Sequence, residues 1–130
     1  MILSGLLSTM NVFVDKLDDI RFSLNDVYMV LLMCGWMFFF MGIYMNEFHI
    51  GLIGFALIVI NVWCIRTQFM ITTKQYINGM IPHHSMAIHM SKKMLEKNST
   101  LKEFLEKLIV TQTDEIKYMK IENNIIHNYV

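Results

Sequence analysis

The chain carries almost nothing that a catalyst or a nucleic-acid binder needs. Eleven Lys and Arg are balanced by eleven Asp and Glu, so nucleic-acid binding has no electrostatic support. There is no H-E-x-x-H, no glycine-rich phosphate loop and no nucleophile elbow. A di-iron helix bundle wants Glu-x-x-His pairs, but Glu115 is followed at the third position by Tyr118 and has only Glu122 as a nearby acid. These absences give no ground for an enzyme. The two cysteines, Cys34 and Cys64, match neither a C-x-x-C nor a zinc spacing. In the antiparallel hairpin argued below, their Cα atoms should lie farther apart than the ~7 Å a disulfide allows, so they read as small hydrophobes.

Charge is scarce and apolar residues are abundant. Only 17% of residues are charged against 55% hydrophobic, and the mean hydropathy is positive, which is unusual for a soluble domain of 130 residues. Val27 to Met45 has no charge, and in Phe48 to Ile65 only His49 and Asn61 interrupt strongly. Each run approaches the ~20 residues with which a helix crosses a hydrocarbon core. Asn46 and Glu47 alone separate them, so the two spans form a tight antiparallel hairpin with its tip at Glu47. The competing reading, a core hairpin of a soluble bundle, leaves too little other chain to cover two helices that are apolar on every face. Trp63, Tyr28 and Tyr44 near the span ends suit interfacial belts. Met29, Met33, Met37, Met41 and Met45 recur every fourth residue and so drift around the helix as a spiral, which suits packing or lipid contact. Gly51 and Gly54 permit close approach of the second span to the first.

Residues 1–26 read as an N-terminal interfacial segment. Met1 to Val14 is apolar but lacks the basic region and clear cleavage site of a secretory signal, and Asp15, Asp18, Asp19 and Asp26 form a polar connection into the first span. Lys16 and Arg21 precede the spans, Arg66 and Lys74 follow them, and the tip has neither Lys nor Arg. The positive-inside rule therefore places both termini in the cytoplasm.

From residue 67 the composition becomes that of helix surfaces. Lys97-Asn98-Ser99 reads as a turn, and Thr100 with Glu103 as a capping box, so one helix ends near Glu96 and another starts at Leu101. Along the last helix, Leu101, Leu105, Leu108, Gln112, Glu115, Met119 and Ile126 form one stripe, with Phe104, Ile109 and Ile116 on its flank. Gln112 and Glu115 are polar positions in that seam and should find partners on the facing helix. On the preceding helix Met80, His83, His84, Ala87, Met90, Ser91 and Met94 share about one face, while His89 points nearly the opposite way. Pro82 either opens this helix or kinks a longer one, and Asn78-Gly79 just before it favours a break.

Within this region, Met80-Ile81-Pro82-His83-His84-Ser85-Met86-Ala87-Ile88-His89-Met90 concentrates three of five histidines and three of thirteen methionines. Imidazole and thioether donors suit Cu(I) and similar soft ions. The bland alternative is a closed His–Gln–Glu hydrogen-bond network with methionine as core filler.

The run Met80-Ile81-Pro82-His83-His84 with Ala87, Ile88 and Met90, followed by Gln112, Glu115-Ile116 and Met119, resembles the bacterial domain-of-unknown-function family 305 over about Tyr76 to Met119. The preceding hairpin is similar to a membrane-anchored branch of that family. The resemblance implies a ferritin-like four-helix arrangement with copper- or silver-binding relatives linked to metal tolerance. It matches Met80, His83, His84, Met90, Gln112, Glu115 and Met119 to the family pattern.

Together these readings describe an all-α protein, with an interfacial segment (1–26), a two-span transmembrane helical hairpin (27–66) and a soluble two-helix hairpin (67–130) forming half of a ferritin-like four-helix bundle. A second copy, making a homo-oligomer in the lipid bilayer, would complete the bundle. The expected ligands of Cu(I) or silver are Met80, His83, His84, Met90 and Met119. Gln112 and Glu115 are expected to orient the imidazoles. A metal-free protein whose His, Gln and Glu seam fixes a dimeric bundle is the alternative.

Overall fold

The computed structural model describes residue 5, residues 8–97 and residues 100–128, the last without the side chains of 126–128. Two short 3-10 turns, Met10–Phe13 and Leu17–Asp19, precede four α-helices: α1 (Leu24–Tyr44), α2 (Phe48–Thr67), α3 (Thr73–Leu95) and α4 (Lys102–Asn128). No strand occurs among the described residues. The expected all-α layout of one hairpin followed by another is what the chain adopts. Asn98, Ser99 and most of the first seven residues, on which the turn and the interfacial reading partly rest, lie outside the described residues, as does the side chain of Ile126.

The chain divides into two compact units: one built from residues up to 8 and from 23–71, the other from 9–22 and 72–130. The first unit is the apolar hairpin. α1 starts at Leu24, three residues before the uncharged run. Asp26 turns back to accept the Ser23 N–H at 2.8 Å, giving that end of the helix a reciprocal cap. α1 ends in a Schellman motif, with Glu47 N–H donating to Gly42 C=O (2.9 Å) and Asn46 N–H to Ile43 C=O (3.3 Å). That motif needs a left-handed residue, and Asn46 supplies it at φ 56°. α2 ends similarly at Gln68, φ 50°. The open end of the hairpin is clasped by Tyr28 OH donating to Phe69 C=O at 2.9 Å. Buried Asn61 is satisfied within its own helix by Leu57 C=O at 2.8 Å.

Both helices are long and apolar enough to cross a membrane, and only 28% and 22% of their most apolar windows is buried. The five methionines of the α1 ladder are all exposed. Cys34 and Cys64 are buried free thiols. Close approach rests on glycine, at Gly54 as the sequence marks and at Gly42 in place of Gly51. A Cβ on Gly42 would overlap the Gly51 backbone, and one on Gly54 would overlap Phe39 and Gly35. One on Gly51 would meet only Gly42 Cα at 3.9 Å.

In the second unit α3 and α4 pair antiparallel around Ile77, Ile81, Ile88 and Ile116, with Ile109 and Met119 packed against them. α3 runs through Pro82 without interruption, so the break favoured at Asn78-Gly79 does not occur there. The helix begins instead after Thr72, whose hydroxyl accepts the Gln75 N–H at 3.3 Å. Packing keeps the helix intact across the missing hydrogen bond, since Ile81, Pro82 and Ser85 are all buried. Thr72 and Gln75 carry the T-x-x-Q spacing of a cap, a weaker sequence signal than the Asn-Gly pair. α4 starts at Lys102, one residue after the expected Leu101. Its core stripe is rotated from the expected one. Leu105 and Ile116 are buried, whereas Leu101, Phe104 and Glu115 are exposed.

Residues 9–22 pack on α3, a placement with no counterpart in the sequence reading. Ser85 has 0% exposure, accepts the Asp15 N–H at 2.9 Å and donates to Asp19 at 2.7 Å. Asp19, 3% exposed, also pairs with Lys120 of α4 at 2.5 Å, and Asp15 pairs with Lys92 at 2.6 Å. The acidic connection is thus partly a buried clamp.

The glycine contacts give a differential test. Gly42→Ala is expected to destabilise the apolar hairpin in detergent by roughly 1–3 kcal/mol, the usual cost of overpacking. Gly51→Ala should leave it unchanged or slightly stabilised, because the helix gains alanine propensity in open space. Thermal unfolding followed by far-UV circular dichroism compares the two.

Candidate functional site

The face of α3 that meets α4 is set by Ile77, Ile81 and Ile88, one or two helical turns apart. His84 stands three residues after Ile81 and four before Ile88, at the edge of that stripe, and Met80 lies one turn before it. On α4, Glu115 and Met119 repeat the same four-residue spacing beside Ile116. Asn123 Nδ2 donates to Asn78 Oδ1 at 3.4 Å, and His84 Nδ1 lies 3.2 Å from Glu115 Oε2. These contacts fix the antiparallel register that sets Met80 across from Met119.

The four residues line a single cleft of about 480 Å³ with Tyr76, Val110, Thr111, Asp114 and Tyr118. The His84 side chain is 12% exposed and that of Glu115 48%. Close as they are, the two are not aligned as a hydrogen bond, and buried Nδ1 has no other partner among the described residues. Burial pushes the His84 pKa below its ordinary 6.5, partly opposed by the Glu115 carboxylate and helped by neighbouring His83. A neutral imidazole whose Nδ1 has no aligned partner among the described residues, in a cleft also lined by two methionines, offers donors of the kind a monovalent coinage-metal ion prefers. Among the described residues no group of three or more His, Cys, Asp or Glu side chains comes together.

The remaining expected residues are distributed differently. His83 is exposed, its ring centroid 6.1 Å from that of His84, and its Nδ1 meets Met10 Sδ at 3.4 Å. Met90 is exposed, Gln112 is half-buried, and neither lines the cleft. His89 is half-buried. Tyr76, Val110, Thr111, Asp114 and Tyr118 line the cleft without being among the expected residues, and Met10 stands apart from it beside His83. Tyr76 and Tyr118 lie one turn from Met80 and Glu115 and were findable from helical spacing. Met10 was not, since seventy-three residues separate it from its partner.

The family model described as "Domain of unknown function (DUF305)" matches residues 68–121. Across 124 residues the chain is 47% identical to an uncharacterized protein of Acanthamoeba polyphaga mimivirus, covering 89% of this chain and 81% of that one. The chain belongs to the DUF305 family. Every residue lining the cleft falls inside the DUF305 match, whereas Met10 and the apolar helices up to Thr67 lie before it. No solved structure matches this DUF305 chain.

The lowered His84 pKa has a stability consequence. Below pH 6.5 the unfolded chain takes up a proton that folded His84 resists, so the folded state loses stability as pH falls toward the depressed value and keeps it above 6.5. Denaturant titrations of metal-free protein over that range should show this decline. His84→Gln, which cannot titrate, should flatten it.

Proposed function

We propose that this is an integral membrane protein that presents a Cu(I)- or Ag(I)-binding helical module, serving metal handling or tolerance. The observation that carries this reading is the convergence of His84, Met80 and Met119 on one cleft, with His84 Nδ1 lacking an aligned partner among the described residues. Thioether sulfur and neutral imidazole are the donors a soft monovalent ion prefers. Glu115, hard and half-exposed, would tune the imidazole from outside rather than ligate. The copper- and silver-binding relatives implied by the family resemblance support the same ion class.

The apolar hairpin supplies the anchor, with two uncovered helices of membrane-spanning length. Lys16, Arg21, Arg66 and Lys74 against an uncharged-to-acidic tip favour cytoplasmic termini. Exposed Leu101, just before α4, and Phe104 and Val110 on it offer a second copy the apolar surface from which a four-helix bundle could be made.

The metal-free alternative draws on one observation, the 3.2 Å approach of His84 to Glu115. A Cu(I) titration of purified protein in detergent separates the two readings. Metal binding predicts sub-micromolar affinity, weakened at least tenfold by His84→Ala or by Met80→Leu with Met119→Leu. An interaction role predicts no such binding, with His84→Ala affecting only thermal stability.

A further inference from the structure

We propose that Met10 and His83 form a second soft-metal site, separate from the α3–α4 cleft and built by the segment that precedes the apolar hairpin. Met10 Sδ lies 3.4 Å from His83 Nδ1, and neither residue lines the cleft. As a stabilising contact this is a poor use of an exposed imidazole, because thioether sulfur is a weak acceptor and water is a better one. As a donor pair it is well matched to Cu(I) or Ag(I).

The geometry supports a shared ion. With sulfur and nitrogen bond lengths of about 2.3 and 2.0 Å, as for zinc, the 3.4 Å separation corresponds to a bent angle of roughly 105°. Bent ligation calls for a third donor. Met86 and Met90 stand three and seven residues after His83, on its own helical stripe, and Met90 is exposed. Ligation through Nδ1 requires the tautomer that carries its proton on Nε2.

Met10 is also held in place before any ion arrives. The neighbouring Asn11 side chain closes the loop, donating to Arg21 C=O at 2.7 Å and accepting the Arg21 N–H at 3.0 Å. Ser85, two residues from His83, holds both the Asp15 N–H and Asp19. The loop is thus anchored at both ends, which lowers the ordering cost of recruiting a ligand from so distant a part of the chain.

The inference extends the proposed function but rests on its own donor pair. Full-length protein in detergent, labelled with 13C at methionine methyls, is titrated with Ag(I). The expected result is two bound equivalents, with the Met10 methyl shifting in one phase and Met80 and Met119 in the other. Met10→Leu should abolish one equivalent while leaving the Met80 and Met119 shifts intact. Saturation that leaves the Met10 methyl unmoved, or an unchanged stoichiometry in Met10→Leu, overturns this site alone. If no methionine methyl responds, both this site and the cleft assignment fall.

Discussion

Asp19 is the residue on which the second unit turns. It is almost wholly buried, takes the Ser85 hydroxyl from α3 and pairs with Lys120 from α4, so one carboxylate joins three parts of the chain. Burying a carboxylate is costly unless every neighbour is arranged for it. Here Ser85, Lys120 and the adjoining Asp15–Lys92 pair make that arrangement, and the segment before the apolar hairpin is thereby fixed on α3. The helix register that follows sets His84 beside Glu115 and Met10 beside His83.

The chemistry of the cleft follows from where the isoleucine stripe ends. His84 is close enough to the core to lose much of its hydration, which favours the neutral imidazole, yet it faces a cleft instead of a closed polar network. Glu115 approaches without aligning. A fully satisfied network would suit a structural histidine, whereas the proposed ligand role requires what is seen here, a ring nitrogen with no aligned partner among the described residues in a cleft lined by Met80 and Met119. The apolar hairpin answers a different demand, since its backbone polar groups are satisfied within helices and left-handed caps while most of its apolar side chains remain exposed.

Elements governed by local rules were legible in the sequence. The uncharged runs gave both apolar helices, Asn46-Glu47 gave the tip, and the Met–His string gave the helix that carries the site. What depended on packing was not. Pro82 sits inside α3 because buried neighbours hold the helix across it, an effect invisible beside the Asn78-Gly79 signal. Glu115 stands at the edge of its seam because Ile109 and Ile116, flank positions by helical spacing, belong to the core, which rotates α4. His83 and His84 are adjacent in sequence, but consecutive helix residues point about 100° apart. Only the position of α4 decides which one enters the cleft. The packing of residues 9–22 on α3 is long-range and had no local signature.

The most direct test of the central claim is X-ray absorption at the copper edge on protein loaded with one equivalent of Cu(I) under reducing conditions. The account predicts a mixed first shell, with imidazole nitrogen and thioether sulfur, the latter at about 2.3 Å, and loss of the sulfur contribution from the cleft in Met80→Leu with Met119→Leu. A first shell of nitrogen and oxygen alone, unaltered by those substitutions, would contradict it.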